Sequence, residues 1–346
     1  MMTEMKFHKK INKILLIRPK RIGDIVMTTP ALASLRERYP QAFITYLVEE
    51  PYKDLVEGNS DLDEIIAVPI PTKPQDFLKI LFQIRKNKFD AVVDFHGGPK
   101  AFLFALFSKT RLRIGHKIKF KHIFYDVKIE RKTKDKPIHS VESFFKLVKA
   151  LDVKVNQIPR LKLPPARNQE TSRIFEFIKN NKLRENKIIT LHIGAGSEFR
   201  QWDLKKLEQL AALLSEIPAA SIVLVGGKED QVLEKQLLKR ISAPLYSLVG
   251  ELNLRELREL ISQSSLFIGP DSGPMHIAAA TETPIVACFG PALSATFRPW
   301  KASCMIIEKD YKCRPCRQKK CIYGDFRCFQ DIKPDEIYQA SLRLLT

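Results

Sequence analysis

Three stretches of this 346-residue chain combine the residue types that proton transfer and anion binding require. The first is RPKRIGDIVMTTPAL, where Arg18, Lys20 and Arg21 crowd one carboxylate, Asp24. Gly23 permits a tight turn there. An aspartate at or near a helix N-cap is worth about 1 kcal/mol as a cap. At the carboxyl end of a strand it also suits a general base, and the cations beside it would attract an anionic substrate. The second stretch is GAGSEFRQW, residues 194–202. Its glycines and Ser197 form a loop whose amides can approach phosphate oxygens, and Arg200 can pair with a pyrophosphate. It is neither a P-loop nor the dinucleotide G-x-G-x-x-G. The third is GPDSGPMHIAAA, residues 269–280. Asp271, Ser272 and Gly273 open a helix whose body from His276 onward is small and apolar. Free amides and the helix dipole favour a phosphate at that end. The plainer alternatives are an N-cap role for Asp271 and a core role for His276.

A fourth group is KCRPCRQKKCIYGDFRC, with Cys313, Cys316, Cys321 and Cys328 spaced C-x2-C-x4-C-x6-C. Four thiolates so close could bind Zn²⁺, and the Lys and Arg neighbours favour thiolate. The second half of the spacing is looser than that of usual zinc pairs. Free thiols or disulfides are therefore the preferred expectation, with zinc behind them. Cys288 and Cys304 stand apart, and the first half of the chain has no cysteine, which argues against a secreted disulfide framework.

The elements that must position these groups alternate strand and helix. KILLIR, FITYLVEE, DEIIAVP, FDAVVDFHG and LRIGH read as strands, with helices over residues 24–39, 78–88, 101–109 and 139–151. Residues 158–171 carry three prolines without periodicity and read as a linker. The pattern then restarts with KIITLHIG, SIVLVGG, LFIG and TPIVACFGP as strands and ends in a helix at 334–345. This order implies an α/β protein with parallel sheets covered on both faces. Ligands in such sheets sit at the carboxyl ends of strands, so two facing domains would share a cleft.

Charge adds a constraint. Lys and Arg number 58 against 39 Asp and Glu, a formal net of +19. Residues 1–165 hold 32 basic and 18 acidic side chains (+14); residues 166–346 hold 26 and 21 (+5). An excess confined to one half points to an anionic partner rather than to solubility alone. No stretch nears the roughly 18–20 apolar residues of a membrane span, and no apolar signal region opens the chain, so a cytoplasmic location is expected. A nucleic-acid partner is a competing class, but no basic stripe interleaved with aromatics supports it.

ILLIRPKRIGDIVMTTPAL, LHIGAGSEFRQW, GPDSGPMHIAAA and TPIVACFGP, in that order, resemble the ADP-heptose:lipopolysaccharide heptosyltransferases of glycosyltransferase family 9. The resemblance implies the GT-B fold: two Rossmann-like domains with parallel sheets facing across a cleft. It places an acceptor domain at 1–165, a donor-nucleotide domain at 166–333 and a C-terminal helix at 334–346 that packs back toward the N-terminal domain. It implies an inverting, metal-independent transferase that needs no cofactor, with ADP-heptose as donor and the lipopolysaccharide inner core as acceptor. Asp24 would be the base, and Arg18, Lys20 and Arg21 would face the acceptor. Gly196, Ser197, Arg200, Asp271, Ser272, Gly273 and His276 would hold donor phosphate and sugar, and Glu229 the ribose. Arg200 stands where the family usually has lysine. The basic half, including residues 117–136, would dock reversibly on the anionic inner face of the cytoplasmic membrane. A GT-B enzyme for another nucleotide sugar, or a sugar-nucleotide epimerase, is the nearest alternative.

Overall fold

The computed structural model describes residues 11–118, 124–130, 137–241 and 244–346. The first half runs β1 (Lys13–Ile17), α1 (Ile22–Val26), α2 (Thr29–Arg38), β2 (Phe43–Glu49), β3 (Glu64–Val68), α3 (Pro74–Asn87), β4 (Ala91–Asp94), α4 (Pro99–Phe107), β5 (Arg113–His116), β6 (Val127–Ile129) and α5 (Ser140–Lys149). The second runs α6 (Asn168–Asn180), β7 (Lys187–His192), α7 (Leu204–Ser215), β8 (Ala220–Val225), α8 (Gln231–Leu238), β9 (Leu245–Ser247), α9 (Leu254–Ser262), β10 (Leu266–Pro270) and α10 (Gly273–Ala280). It closes with β11 (Ile285–Phe289), α11 (Ser294–Phe297), β12 (Cys304–Glu308), α12 (Arg327–Gln330) and α13 (Pro334–Leu345).

The described residues form two units. One draws on Met1–Lys20, Thr28–Arg131 and Glu142–Pro159; the other on Arg21–Met27, Lys132–Val141 and Arg160–Thr346. The first contains a six-stranded sheet in the order β3-β2-β1-β4-β5-β6, the second a sheet in the order β12-β11-β10-β7-β8-β9. Every pairing in both is parallel. Numbered within each unit, both follow the doubly wound order 3-2-1-4-5-6. Burial explains why the strands are unbroken apolar runs. Ile14–Ile17 of β1 and Leu266–Ile268 of β10 are fully buried, as strands covered on both faces must be. Each such Ile or Leu contributes roughly 1.5–3 kcal/mol.

Several expectations need correction. The single helix expected over 24–39 is two. Pro30, near the start of α2, has no N–H to give the Val26 carbonyl, so the first helix ends and a second begins. The edge strands β6 and β9 carry three residues each, too few for a pattern to register, and the five-residue edge strand β12 was not anticipated either. Helix α6 begins inside the proline-bearing stretch, and the units divide after Pro159 rather than at 165. Helix α13 belongs to the second unit, where Ile337 and Ala340 enter one core with Leu207, Leu210 and Leu214 of α7. Its apolar face fits that side of the second sheet, with contacts to β10, β11 and β12. No helix of the described residues is long and apolar enough to cross a membrane.

Candidate active site

In the second sheet the strand order reverses between β7 and β10, which pair directly from Leu266↔Ile189 to Ile268↔Leu191. A crevice at such a reversal is where doubly wound sheets take ligands. The loop after β7 is GAGSEFRQW and the loop after β10 is DSGPMH. Topology thus joins two stretches that lie far apart in the chain.

Ser272 is the N-cap residue of α10, in extended backbone (φ −150), but its side chain makes no capping bond. Its hydroxyl lies 3.2 Å from His192 Nδ1 instead. The first-turn amides of a helix have no partner within it, so α10 presents an uncapped, positively polarised end. Arg200, on a short 3₁₀ turn over Glu198–Arg200, reaches the same point. Its guanidinium donates to the Asp271 carbonyl and lies 3.8 Å from the Asp271 carboxylate. Burial works against the Arg200 charge and Arg21 adds to that, while Asp271 opposes both. Arg200 Nε and His276 Nδ1 are buried without hydrogen-bond partners among the described residues. Buried polar atoms are rarely left so, and an anion seated here would engage the arginine.

Two buried histidines line this region as neutral groups. His276 is held down at about 4, by burial first and by His139 second, with Asp24 acting the other way. His192 also lies at about 4, through burial and the Arg200 charge. At neutral pH both offer hydrogen bonds without charge. His139 is also buried. Val141 N donates to its Nδ1 at 3.2 Å, so its Nε2–H donates to the Arg298 carbonyl at 2.9 Å. Its ring centroid is 4.7 Å from that of Trp300.

Helix α1 belongs to this second unit and packs on α10 through two glycines. A Cβ on Gly23 would stand 2.5 Å from His276 Cδ2, and one on Gly273 would stand 2.5 Å from Ile22 Cβ. Only hydrogen side chains allow this approach. It sets Asp24, the third residue of α1 and half-buried, within electrostatic reach of His276. Arg21 is the N-cap residue, at φ +75 and ψ 112, a conformation that costs a non-glycine residue of order 1–3 kcal/mol.

The other expected residues fall as follows. Gly196 takes φ +59 beside open space, so its loop can receive a ligand against the backbone. Ser197 Oγ donates to Gln318 Oε1 at 3.3 Å. Glu229 is exposed on the turn after β8, whereas its neighbour Asp230 is buried, accepting from Gly227 N at 2.8 Å. A Cβ on Gly194 would meet Asp230 Oδ2 at 1.9 Å, so that glycine serves the fit to Asp230. Arg18 and Lys20 lie in the first unit. Arg18 is buried and donates to the Phe95 carbonyl at 3.0 Å, beside Asp94. Asp94 accepts from Tyr125 OH at 2.6 Å and from the amides of His96 and Gly97, and burial raises it. Lys20 is exposed. Of the three cations around Asp24 in sequence, Arg21 alone shares its unit. None of the six cysteines is paired in a disulfide, and among the described residues no three His, Cys, Asp or Glu side chains form a group that could hold a metal ion. His139, His192 and Asp230 were not singled out by sequence. They lie outside the loop motifs, and only His192, closing a strand just before GAG, carried a positional signal.

The model of glycosyltransferase family 9 (heptosyltransferase) matches residues 77–326. The chain belongs to this family. Among curated family relatives, lipooligosaccharide heptosyltransferase 2 of Campylobacter jejuni is 28% identical over 342 residues, covering 96% of this chain and 99% of that protein. Among solved structures, the glycosyl transferase family 9 protein of Veillonella parvula superposes with a TM-score of 0.87 at 21% identity, covering 97% of this chain and 98% of that one. The ADP-heptose lps heptosyltransferase II of E. coli gives 0.80 at 22% identity, with 96% and 98% covered. The two parallel α/β units are the fold this family 9 chain shares with both.

Proposed function

We propose that this family 9 glycosyltransferase moves a heptose from ADP-heptose to the inner core of a lipopolysaccharide, with inversion at the anomeric carbon. The observation that carries this is the seating of α1 on α10, which sets one carboxylate beside an uncapped helix end equipped with Arg200 and neutral histidines. Asp24 takes the proton of the acceptor hydroxyl as its oxygen attacks the anomeric carbon. ADP leaves, and the α10 amides and Arg200 stabilise the charge that develops on its phosphates, with no catalytic metal and no cofactor. Gly196, Ser197, Asp271, Ser272, Gly273 and His276 hold donor phosphate and sugar, and Glu229 the ribose. Arg21 and Lys20 face the anionic acceptor.

Thermal-shift titration tests the donor class. ADP should raise the melting temperature, and UDP should not; the reverse would favour the other nucleotide-sugar reading. Mass spectrometry of a truncated lipid A–sugar-acid acceptor after incubation with ADP-heptose should show one added heptose. Cytoplasmic placement with peripheral docking on an anionic leaflet fits the +14 charge of residues 1–165. Of residues 117–136, those at 119–123 and 131–136 lie outside the described residues. Lys117 pairs with Glu130 at 2.6 Å, and Lys128 is exposed on β6. Co-sedimentation with anionic but not neutral vesicles, reversed by salt, tests the docking; equal binding to both would sink it.

A further inference from the structure

Helix α4 reads PKAFLFALF, apolar on every side, a composition that normally places a helix in the interior. Here one side alone is covered. Ala101, Phe104 and Ala105 enter a core with Leu15, Ile17 and Val92 of the first sheet. Phe102, Leu103 and Leu106 on the outer side are half-buried, and Phe107 is 45% exposed. Helix α3 covers the same sheet face beside it. Its Ile80, Leu81 and Ile84 join that core, and the Phe77 ring lies 5.1 Å from that of Phe104. One turn apart on its outer side, Leu78 is 54% exposed and Phe82 72%. The Phe124 ring, 4.8 Å from that of Phe102, is exposed as well. Five of the eleven large apolar side chains exposed among the described residues thus fall between Ile70 and Phe124. Single exposed apolar residues need no explanation, but a cluster marks a contact surface.

Charge decides the occupant. Residues 73–111 hold eight Lys or Arg and three Asp. Asp94 is buried, and Asp90 accepts from the Asn12 and Lys13 amides at 2.8 and 2.9 Å, so the fold engages two of the three acids. Lys79, Arg85, Lys86 and Lys109 are exposed on or beside the two helices. A second copy on this face would set those cations against themselves across a two-fold axis. Anionic headgroups would offset them. Apolar side chains bordered by Lys and Arg are what an interfacial helix presents to a bilayer.

We propose that the outer faces of α3 and α4 seat on an anionic lipid surface. Leu78, Phe82 and Phe107 enter the boundary between headgroups and acyl chains, where an interfacial helix lies about 5–10 Å deep. Lys79, Arg85, Lys86 and Lys109 stay among the headgroups. This surface deepens the docking part of the proposed function and rests on it. It adds an apolar contact to the charge attraction. The contact involves few side chains, so salt that screens the headgroups still releases the protein.

The test uses the full-length protein and vesicles of mixed phosphatidylglycerol and phosphatidylcholine with brominated acyl chains. Phe82→Trp keeps the face apolar and reports its depth. Its emission, after subtraction of the wild-type signal from Trp202 and Trp300, should be quenched by the bromines. Val232→Trp, at an exposed position of α8 in the second unit, should stay unquenched. Leu78→Gln/Phe82→Gln keeps helix propensity and alters side chains that already stand mostly in water, so it should melt as wild type does. Its binding to these vesicles should be about tenfold weaker. Equal quenching at positions 82 and 232, or wild-type vesicle affinity in the double variant, would overturn this surface and leave electrostatic docking standing. Wild type that binds no vesicle would end the docking reading and the surface together, without touching ADP binding or heptose transfer. Quenching at Phe82→Trp in a protein that neither binds ADP nor transfers heptose would keep the surface and end the transferase reading. If wild type self-associates in sedimentation and the double variant does not, the face belongs to a second copy and the proposal falls.

Discussion

Gly23 presses on the His276 ring so closely that a Cβ there would lie 2.5 Å from Cδ2 and 3.2 Å from Nε2. His276 is 3% exposed and cannot swing away. This contact fixes where α1, and with it Asp24, sits on α10. Gly23→Ala should therefore push α1 off the histidine and misplace the carboxylate. A displacement near 1 Å can cost about 100-fold in rate, and turnover should fall by that order. Steady-state kinetics with ADP-heptose check it; wild-type kcat in a folded Gly23→Ala protein would show that the contact does not position Asp24.

Asp24→Asn keeps the shape and a capping oxygen but removes the proposed base. Turnover should drop by a factor of about 10²–10⁴ while ADP affinity stays near that of wild type. Calorimetric ADP binding beside the kinetics separates the two. A variant that folds and turns over normally would leave Asp24 with a structural role alone.

Phosphate charge should be met by the α10 amides and Arg200, so protein stripped of hard divalent cations should show the same rate with or without Mg²⁺ or Mn²⁺. A rate that appears only on adding either ion would contradict this.

Stability should fall in mild acid. His192 and His276 titrate at about 4 when folded against 6.5 for the ordinary side chain. Above 6.5 both states are neutral and nothing changes. Between 6.5 and 4 the unfolded chain takes up protons the folded one refuses, so stability is lost as pH falls; below about 4 the loss is complete. At about 1.4 kcal/mol per unit, each histidine accounts for about 3 kcal/mol across that window. Melting temperatures of wild type and His276→Gln, measured between about pH 7 and pH 4.5, should converge toward acid pH. Parallel curves would show that His276 does not carry its share.

Much of the architecture was legible in the residues. Runs such as ILLI, SIVLV and LFIG could only be strands buried on both faces, and Pro and Gly punctuated them at the right places. The loops GAGSEFRQW and DSGPMH stood out as candidate anion sites because glycine, serine and a helix start are local features. The three-residue edge strands β6 and β9 left no pattern, since a pattern needs several repeats to register.

What tertiary structure decided was company. Asp24 and Arg18 are six residues apart in the chain, yet Asp24 belongs to the second unit and Arg18 to a buried cluster with Asp94 in the first. The apolar face of α13 completes the core beside α7. His139 reaches the Arg298 carbonyl across 159 positions, and His192 meets Ser272 across 80. Periodicity and spacing report a residue's own helix or strand. Which distant side chain comes to lie against it depends on how the packed faces fit, and two hydrogen side chains, Gly23 and Gly273, decided that fit here.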